Sequence, residues 1–249
     1  MRILATDFDN TLFRDRTITR ADADAIARYR FAGNRFGIVT GRHLPSIRAE
    51  LERWALPVDF VVACTGGVLT DGAFRVLSEH RAPRAGLVPL YEAALPLDPL
   101  YFCVSVGLER YWIEVPAPPP EGAEARLPKA ALETLPDYHE MGTGFATEET
   151  AAEFTAYCSE RLSALLTAHR NGIHVDVCAP GTSKVSGLYE VLGLYGAKKD
   201  DLFVAGDNLN DLSMIREFSS FAMEKGRDEL KRYARAAVGS IAEIVDMLL

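Results

Sequence analysis

Hydrophobic and polar positions fall into three textures along the chain. In the first eighty residues, short apolar runs at 3–6, 36–40 and 60–64 are almost free of polar interruption. Runs this short, bounded by turn residues, read as strands covered on both faces. Between them, residues 20–32 and 44–54 carry helical spacing. Thr19 stands where an N-cap is wanted, Asp22 lies in the first turn, and Gly33 follows the end. Gly66-Gly67 and Asp71-Gly72 punctuate a hairpin after the third strand. The same alternation returns late in the chain. It predicts helices at 184–192, 209–217, 227–236 and 241–248, with strands at 202–206 and 220–223. Strands alternating with helices imply a mostly parallel sheet covered on both sides.

The middle differs. Residues 83–180 hold more proline, including Pro118-Pro119-Pro120. Strand-like runs lie at 101–106, 111–115 and 173–177, and a long helix is expected over 148–166. The fold class expected is therefore α/β: a Rossmann-like, mostly parallel sheet core from residues 1–82 and 181–249, with an inserted α+β cap at 83–180. The apolar stripe of Phe154, Tyr157, Cys158, Leu162 and Leu165 predicts a helix face packed on the cap sheet.

Composition narrows the functional classes. The chain has 249 residues, 48% hydrophobic and 25% charged, which suffices for a large core and a second lobe. Its net charge of -8 argues against a general nucleic-acid or anionic-membrane binder. It leaves room for an anionic small substrate, because a local cation overrides the global sign. Cys64, Cys103, Cys158 and Cys178 lie far apart with no paired spacing, which argues against a disulfide framework or a zinc site. Only Arg2 separates Met1 from the first strand, so neither a signal peptide nor a membrane span is expected, and a cytoplasmic location fits.

Four clusters carry candidate chemistry, each at the end of a core strand or the start of a core helix: Asp7-Phe8-Asp9-Asn10-Thr11, Thr40-Gly41-Arg42, Lys184 after Gly181-Thr182-Ser183, and Gly206-Asp207-Asn208-Leu209-Asn210-Asp211. Ligands of open α/β sheets bind at that edge. Singly, each has an ordinary explanation as a turn, a cap or a solvated lysine. Together they supply what phosphoryl transfer needs: a nucleophile, neutralisation of phosphate oxygens and a proton source. Asp7 and Asp9, two residues apart, are expected to repel unless a divalent cation intervenes. Asp7 is then a nucleophile, Asp9 an acid/base, Thr40 and Gly41 a source of hydroxyl and amide donors, and Lys184 a fixed positive charge. Asp207 joins Asp7 around a hard cation, and Asp211, one turn on, supports it.

These residues resemble the haloacid dehalogenase superfamily of aspartate-nucleophile phosphatases, in its Cof-like branch with a type IIB cap. The resemblance covers residues 1–82 and 181–249 through all four motifs, and the cap only by position, size and texture. It implies that Mg2+ is held by the Asp7 carboxylate, the Asp9 backbone carbonyl and Asp207. It also implies that Thr40 and Lys184 hold the phosphate, that Asn208, Asn210 and Asp211 support the metal end, and that the cap chooses the leaving group. Three positions depart from the usual pattern: Thr65-Gly66 replaces Asn-Gly, Met223-Glu224-Lys225-Gly226 lacks an Asn, and Val185 follows the lysine.

The expected function is magnesium-dependent hydrolysis of a small phosphorylated metabolite, first of all a sugar phosphate, by a monomer or homodimer. A phosphomutase or other phosphoryl transferase, and a non-catalytic sensor of phosphate ligands, are the competing readings. Arg42, with His43 beside it, either contacts a second anion or pairs with a core carboxylate. His174, Asp176 and Cys178 share one strand face, which looks either into the site or into solvent. Glu109, Arg110 and Trp112 offer sugar-like recognition or form an ordinary hairpin, and Lys225 is expected on the surface.

Overall fold

The computed structural model describes residues 1–123 and 125–249. The first part of the chain forms β1 (Ile3–Thr6), α1 (Arg20–Phe31), β2 (Arg35–Val39), α2 (Leu44–Arg53), β3 (Phe60–Ala63), β4 (Val68–Asp71) and β5 (Val76–Glu79). The middle forms α3 (Leu87–Ala94), β6 (Tyr101–Val106), β7 (Glu109–Ile113), β8 (Arg126–Leu127), β9 (Glu140–Gly144), α4 (Glu148–Arg161), β10 (Thr167–Asn171) and β11 (His174–Cys178). The last part forms α5 (Lys184–Tyr195), β12 (Leu202–Gly206), α6 (Leu212–Glu217), β13 (Ser219–Met223), α7 (Asp228–Lys231), β14 (Ala236–Val238) and α8 (Ile241–Leu248).

The strands make two sheets. The first runs β14-β13-β12-β1-β2-β3-β4-β5, parallel through β3 and antiparallel at the β4–β5 hairpin. Its strands are uniformly apolar because both faces are covered. Leu4, Phe36, Ile38 and Val61 pack under α1, α2 and α8, while Ile3, Ala5, Val39 and Val62 pack under α5 and α6. The chain passes from β1 to β2 on one side and reaches β12 on the other, so strand order reverses between β1 and β12. That reversal opens a crevice at the strands' carboxyl ends, and the four sequence clusters surround it.

The second sheet runs β10-β11-β9-β6-β7-β8 and is antiparallel apart from β7–β8. Period-2 alternation splits its faces. Phe102, Val104, Ile113, Met141, Val175 and Val177 form a separate core with α3 and α4. The opposite face looks onto the crevice. Two connections join the two lobes, through residues 80–86 and 179–183. Ala82 and Tyr138 exchange backbone hydrogen bonds of 2.7 and 3.0 Å, and the Asn208 amide donates to Asn171 at 2.7 Å, fixing this face over the crevice.

Several expected elements differ. The helix expected over 227–236 closes after Lys231, because Ala236–Val238 instead pairs with β13 and buries Val238. The helix over 148–166 ends at Arg161: Leu162 and Leu166 turn into the second core, and β10 pairs with β11, overriding the local pattern. Tyr157 of its supposed apolar stripe is exposed. Residues 209–217 split into a 3₁₀ turn (Leu209–Asp211) and α6. Strand β7 begins two residues before the expected 111–115, since the Gly107-Leu108 turn sets Glu109 opposite Val106. The expectation also lacked α3, β8, β9, β10 and β14. The four cysteines are buried and free. No helix of the described residues is long and apolar enough to cross a membrane.

Candidate active site

Strand β1 delivers Asp7 to the crevice. The Asp7 amide donates to the Ala205 carbonyl at 2.9 Å, extending the β1–β12 pairing by one residue. The carboxylate therefore faces the turn after β12, where Asp207 and Asp211 stand. Ligand oxygens of Asp7, Asp207 and Asp211 lie within 4.8 Å of one another.

Lys184 answers this charge. Ser183 caps α5 through a capping box with Ser186, which directs the first residue of the helix inward. The Lys184 side chain is 2% exposed, and its Nζ donates to Asp7 at 2.7 Å and to Asp211 at 2.6 Å. Burial works against its charge, but Asp211 and Asp7 outweigh it and hold the ammonium above the usual lysine range. Burial pushes the Asp7 carboxyl up; Lys184 opposes this, and the charges of Asp211 and Asp207 add to it. Asp207 is pushed up to about 6 by burial and by Asp211. The like charges that crowd Asp7 are thus Asp211 and Asp207, not Asp9. This corrects the expectation drawn from the Asp-x-Asp spacing.

Asp9 points elsewhere. The Arg42 guanidinium clamps its carboxylate with two hydrogen bonds of 2.7 and 2.6 Å, and sits over the Phe8 ring at 4.9 Å. Of the two roles left open for Arg42, the structure shows pairing with a core carboxylate. Thr40 is 1% exposed, and its hydroxyl accepts from the Arg42 amide at 3.1 Å, so it shapes the turn that follows β2. Asp211 accepts from the amides of Asp207 and Asn208 at 3.0 and 3.3 Å and holds their turn closed. Thr11 donates to Asp207 at 2.9 Å and tethers the first cluster to the last.

The oxygen-only donor set suits a hard divalent cation. Both Asp211 oxygens already accept from protein donors, so Asp7 and Asp207 are the carboxylates that face such an ion. The Asn210 side-chain oxygen is buried without a hydrogen-bond partner and lines the same cavity, so its chemistry fits too.

The cavity holds about 330 Å³. Asp7, Asp9, Gly41, Arg42, Asp207 and Asn210 form one end, and the second sheet forms the other. There Asp176, Gly142, Cys103 and Trp112 lie in one cross-strand row. His174, Gly144 and Tyr101 form a second row, and Glu140, Ser105 and Arg110 a third. His174 and Asp176 therefore look into the cavity. Cys178 does not, donating instead to the Cys64 carbonyl. Arg110 and Trp112 line the cavity, whereas Glu109, at the start of β7, is exposed and does not. Lys225 is a surface residue, 3.5 Å from Asp15. Glu140 escaped the sequence reading; the signal was an isolated acid in an otherwise uncharged strand, Glu140–Gly144.

A family model described as haloacid dehalogenase-like hydrolase matches residues 4–246. Pyridoxal phosphate phosphatase YbhA of Escherichia coli is 26% identical over 98% of this chain and 97% of its own length. The 5-amino-6-(5-phospho-D-ribitylamino)uracil phosphatase YwtE of Bacillus subtilis is 25% identical over 100% and 98%. Among solved structures, the HAD subclass IIB sugar phosphatase BT4131 superposes with a TM-score of 0.80, at 21% identity, covering 100% of this chain and 98% of that one.

Proposed function

Because the chain belongs to the haloacid dehalogenase-like hydrolases and is a phosphoric monoester hydrolase of that family, we propose that it dephosphorylates a small phosphorylated metabolite through an aspartyl-phosphate on Asp7. A sugar phosphate is the first candidate, in keeping with the sugar phosphatase that shares the fold. Residues 1–82 and 181–249 act as the catalytic core and residues 83–180 as the cap.

The carrying observation is the buried Lys184 ammonium bonded to both Asp211 and Asp7, with Asp7 lining an open cavity. A structural ion pair needs no cavity in front of it; a reacting carboxylate does. Asp7, Asp207 and the Asp9 backbone carbonyl would hold a magnesium ion, which would supply positive charge to the phosphate oxygens. The Lys184 ammonium adds a second fixed positive charge on the same side. Thr40 and Gly41 offer donors to the remaining oxygens. An Asp7 oxygen attacks phosphorus, and the ester oxygen departs with a proton from Asp9. Asp9 then takes a proton from water, whose oxygen attacks the aspartyl-phosphate, releasing phosphate and restoring both carboxyls. The Arg42 clamp positions Asp9 in the resting site; one of its hydrogen bonds yields, and the freed oxygen takes from solvent the proton that it passes to the leaving oxygen.

Asp7→Asn tests the assignment. It should abolish turnover of para-nitrophenyl phosphate while circular dichroism and the unfolding midpoint show a folded protein. Retained turnover would refute the nucleophile. Chelation should stop the wild type, and added magnesium should restore it; activity indifferent to chelator would remove the cation from the reading.

A further inference from the structure

The wall of the cavity formed by the second sheet, where Asp176 lies against Gly41, carries charges that the reaction does not use. Glu140 is 1% exposed, yet its carboxylate receives only two long contacts, from Arg110 and Thr65, both at 3.4 Å. Asp176, on the adjacent strand and the same face, is half-buried, and its carboxylate accepts no hydrogen bond from any described residue. Arg110 is the cation facing both, and it also donates to Ser105 at 3.2 Å. Two acids share one guanidinium, and burial pushes both carboxyls up, with the charge of Asp176 adding to this at Glu140, so a further cation is needed for both to ionise.

The other cations nearby are engaged. Arg42 is held by Asp9, and Lys184 by Asp7 and Asp211. Among the described lining residues, no cation is left to meet a second anionic group. The aromatic faces point the same way. Tyr101 and Trp112 meet edge to face at 5.9 Å and border this wall. Carboxylates beside aromatic rings suit an ammonium group. Two glycines in the middle strand let neighbouring side chains lie close against the sheet. A Cβ at Gly144 would lie 2.7 Å from Tyr101, and one at Gly142 would lie 3.2 Å from Cys103 Sγ and 3.7 Å from Asp176. The Tyr101 ring is thereby seated beside the acids.

We propose that the leaving group accepted by this cavity carries a protonated amine, as in an amino-sugar or amino-alcohol phosphate, seated against Asp176 and Glu140. The inference rests on the phosphatase reading of the same site. It excludes leaving groups that carry a carboxylate or a second phosphate.

The test compares matched substrates with the wild-type protein and magnesium. Glucosamine 6-phosphate, glucose 6-phosphate and 6-phosphogluconate differ in charge far from the phosphate; phosphoethanolamine and phosphoglycolate form a shorter pair. The expected order of kcat/KM is amine, then neutral, then carboxylate, with about tenfold or more between amine and neutral, the scale of a charge-assisted hydrogen bond. Asp176→Asn should lower the amine-to-neutral ratio by about tenfold, a comparison internal to one variant and so independent of its yield. Equal or faster turnover of the neutral or carboxylate members overturns the inference. So does failure on the whole panel while para-nitrophenyl phosphate is still hydrolysed. If para-nitrophenyl phosphate is not hydrolysed either, the phosphatase reading falls and takes this inference with it.

Discussion

Replacing Lys184 by methionine is the sharpest perturbation of the site. The side chain is 2% exposed and is the ammonium bonded to Asp7 at 2.7 Å and to Asp211 at 2.6 Å. Methionine fills a similar volume, so packing loss is small. What changes is charge: Asp7, Asp207 and Asp211, with ligand oxygens within 4.8 Å of one another, lose the ammonium that holds them together. Removing one partner of a buried ion pair costs about 3–5 kcal/mol. Against a total stability of about 5–15 kcal/mol, the variant should remain folded but be visibly weakened. The melting midpoint should drop by roughly 6–20 °C for a domain of this size. The assay is unfolding of wild type and variant in chelator at pH 7.5, repeated with magnesium. Magnesium should restore more stability to the variant than to the wild type, because it replaces a missing cation. A variant as stable as the wild type in chelator would refute the reasoning, since the three carboxylates would then not form a coupled buried cluster. A midpoint unmoved by magnesium in both proteins would refute the cation site.

Two further outcomes follow from the same geometry. Asp207 is pushed up to about 6, so between about pH 4 and 6 the native state binds a proton that the unfolded chain has released. Its contribution therefore falls as pH rises through that window: the penalty is absent below it and complete above it. In chelator, the stability of Asp207→Asn relative to wild type should rise from pH 4 to pH 6.5, and a fall would reverse the assignment. Gly66 has φ +101°, and a Cβ there would lie 2.1 Å from the Ser183 carbonyl, next to Lys184. Gly66→Ala should cost about 2 kcal/mol or more, as strain at a positive-φ site does, and should depress turnover of para-nitrophenyl phosphate; unchanged turnover would show that α5 does not depend on that contact.

The parallel core was legible because its signals are local. An apolar run covered on both faces needs no partner to be recognised, and β1, β2, β3 and β12 fall where the runs predict them. Thr19 does cap α1, accepting from the Asp22 amide at 3.1 Å. Signals fail where pairing decides the structure. Thr167–Asn171 carries polar residues and becomes a strand only because β11 lies beside it. Glu140–Gly144 has two glycines, which weaken intrinsic strand preference, yet it is the central strand of the second sheet between β6 and β11.

The same division explains what the sequence revealed of the site. Asp7, Thr40 and Asp207 each sit just past the carboxyl end of a parallel strand, with the turn that aims them written in adjacent residues. Lys184 is aimed by its own cap. None of them needs sheet register to be placed. Glu140, Asp176, Arg110 and Trp112 stand within antiparallel strands, and they meet only because Asp176 pairs with Gly142, Gly142 with Cys103, and Cys103 with Trp112. A slip of one residue in β11 would turn Asp176 into the core and Val175 toward the cavity. Alternation in the sequence finds the two faces of such a strand but not which face looks at the reaction centre. The groups proposed to choose the leaving group are therefore set by register, whereas the groups proposed to hold the phosphate are set by the ends of strands.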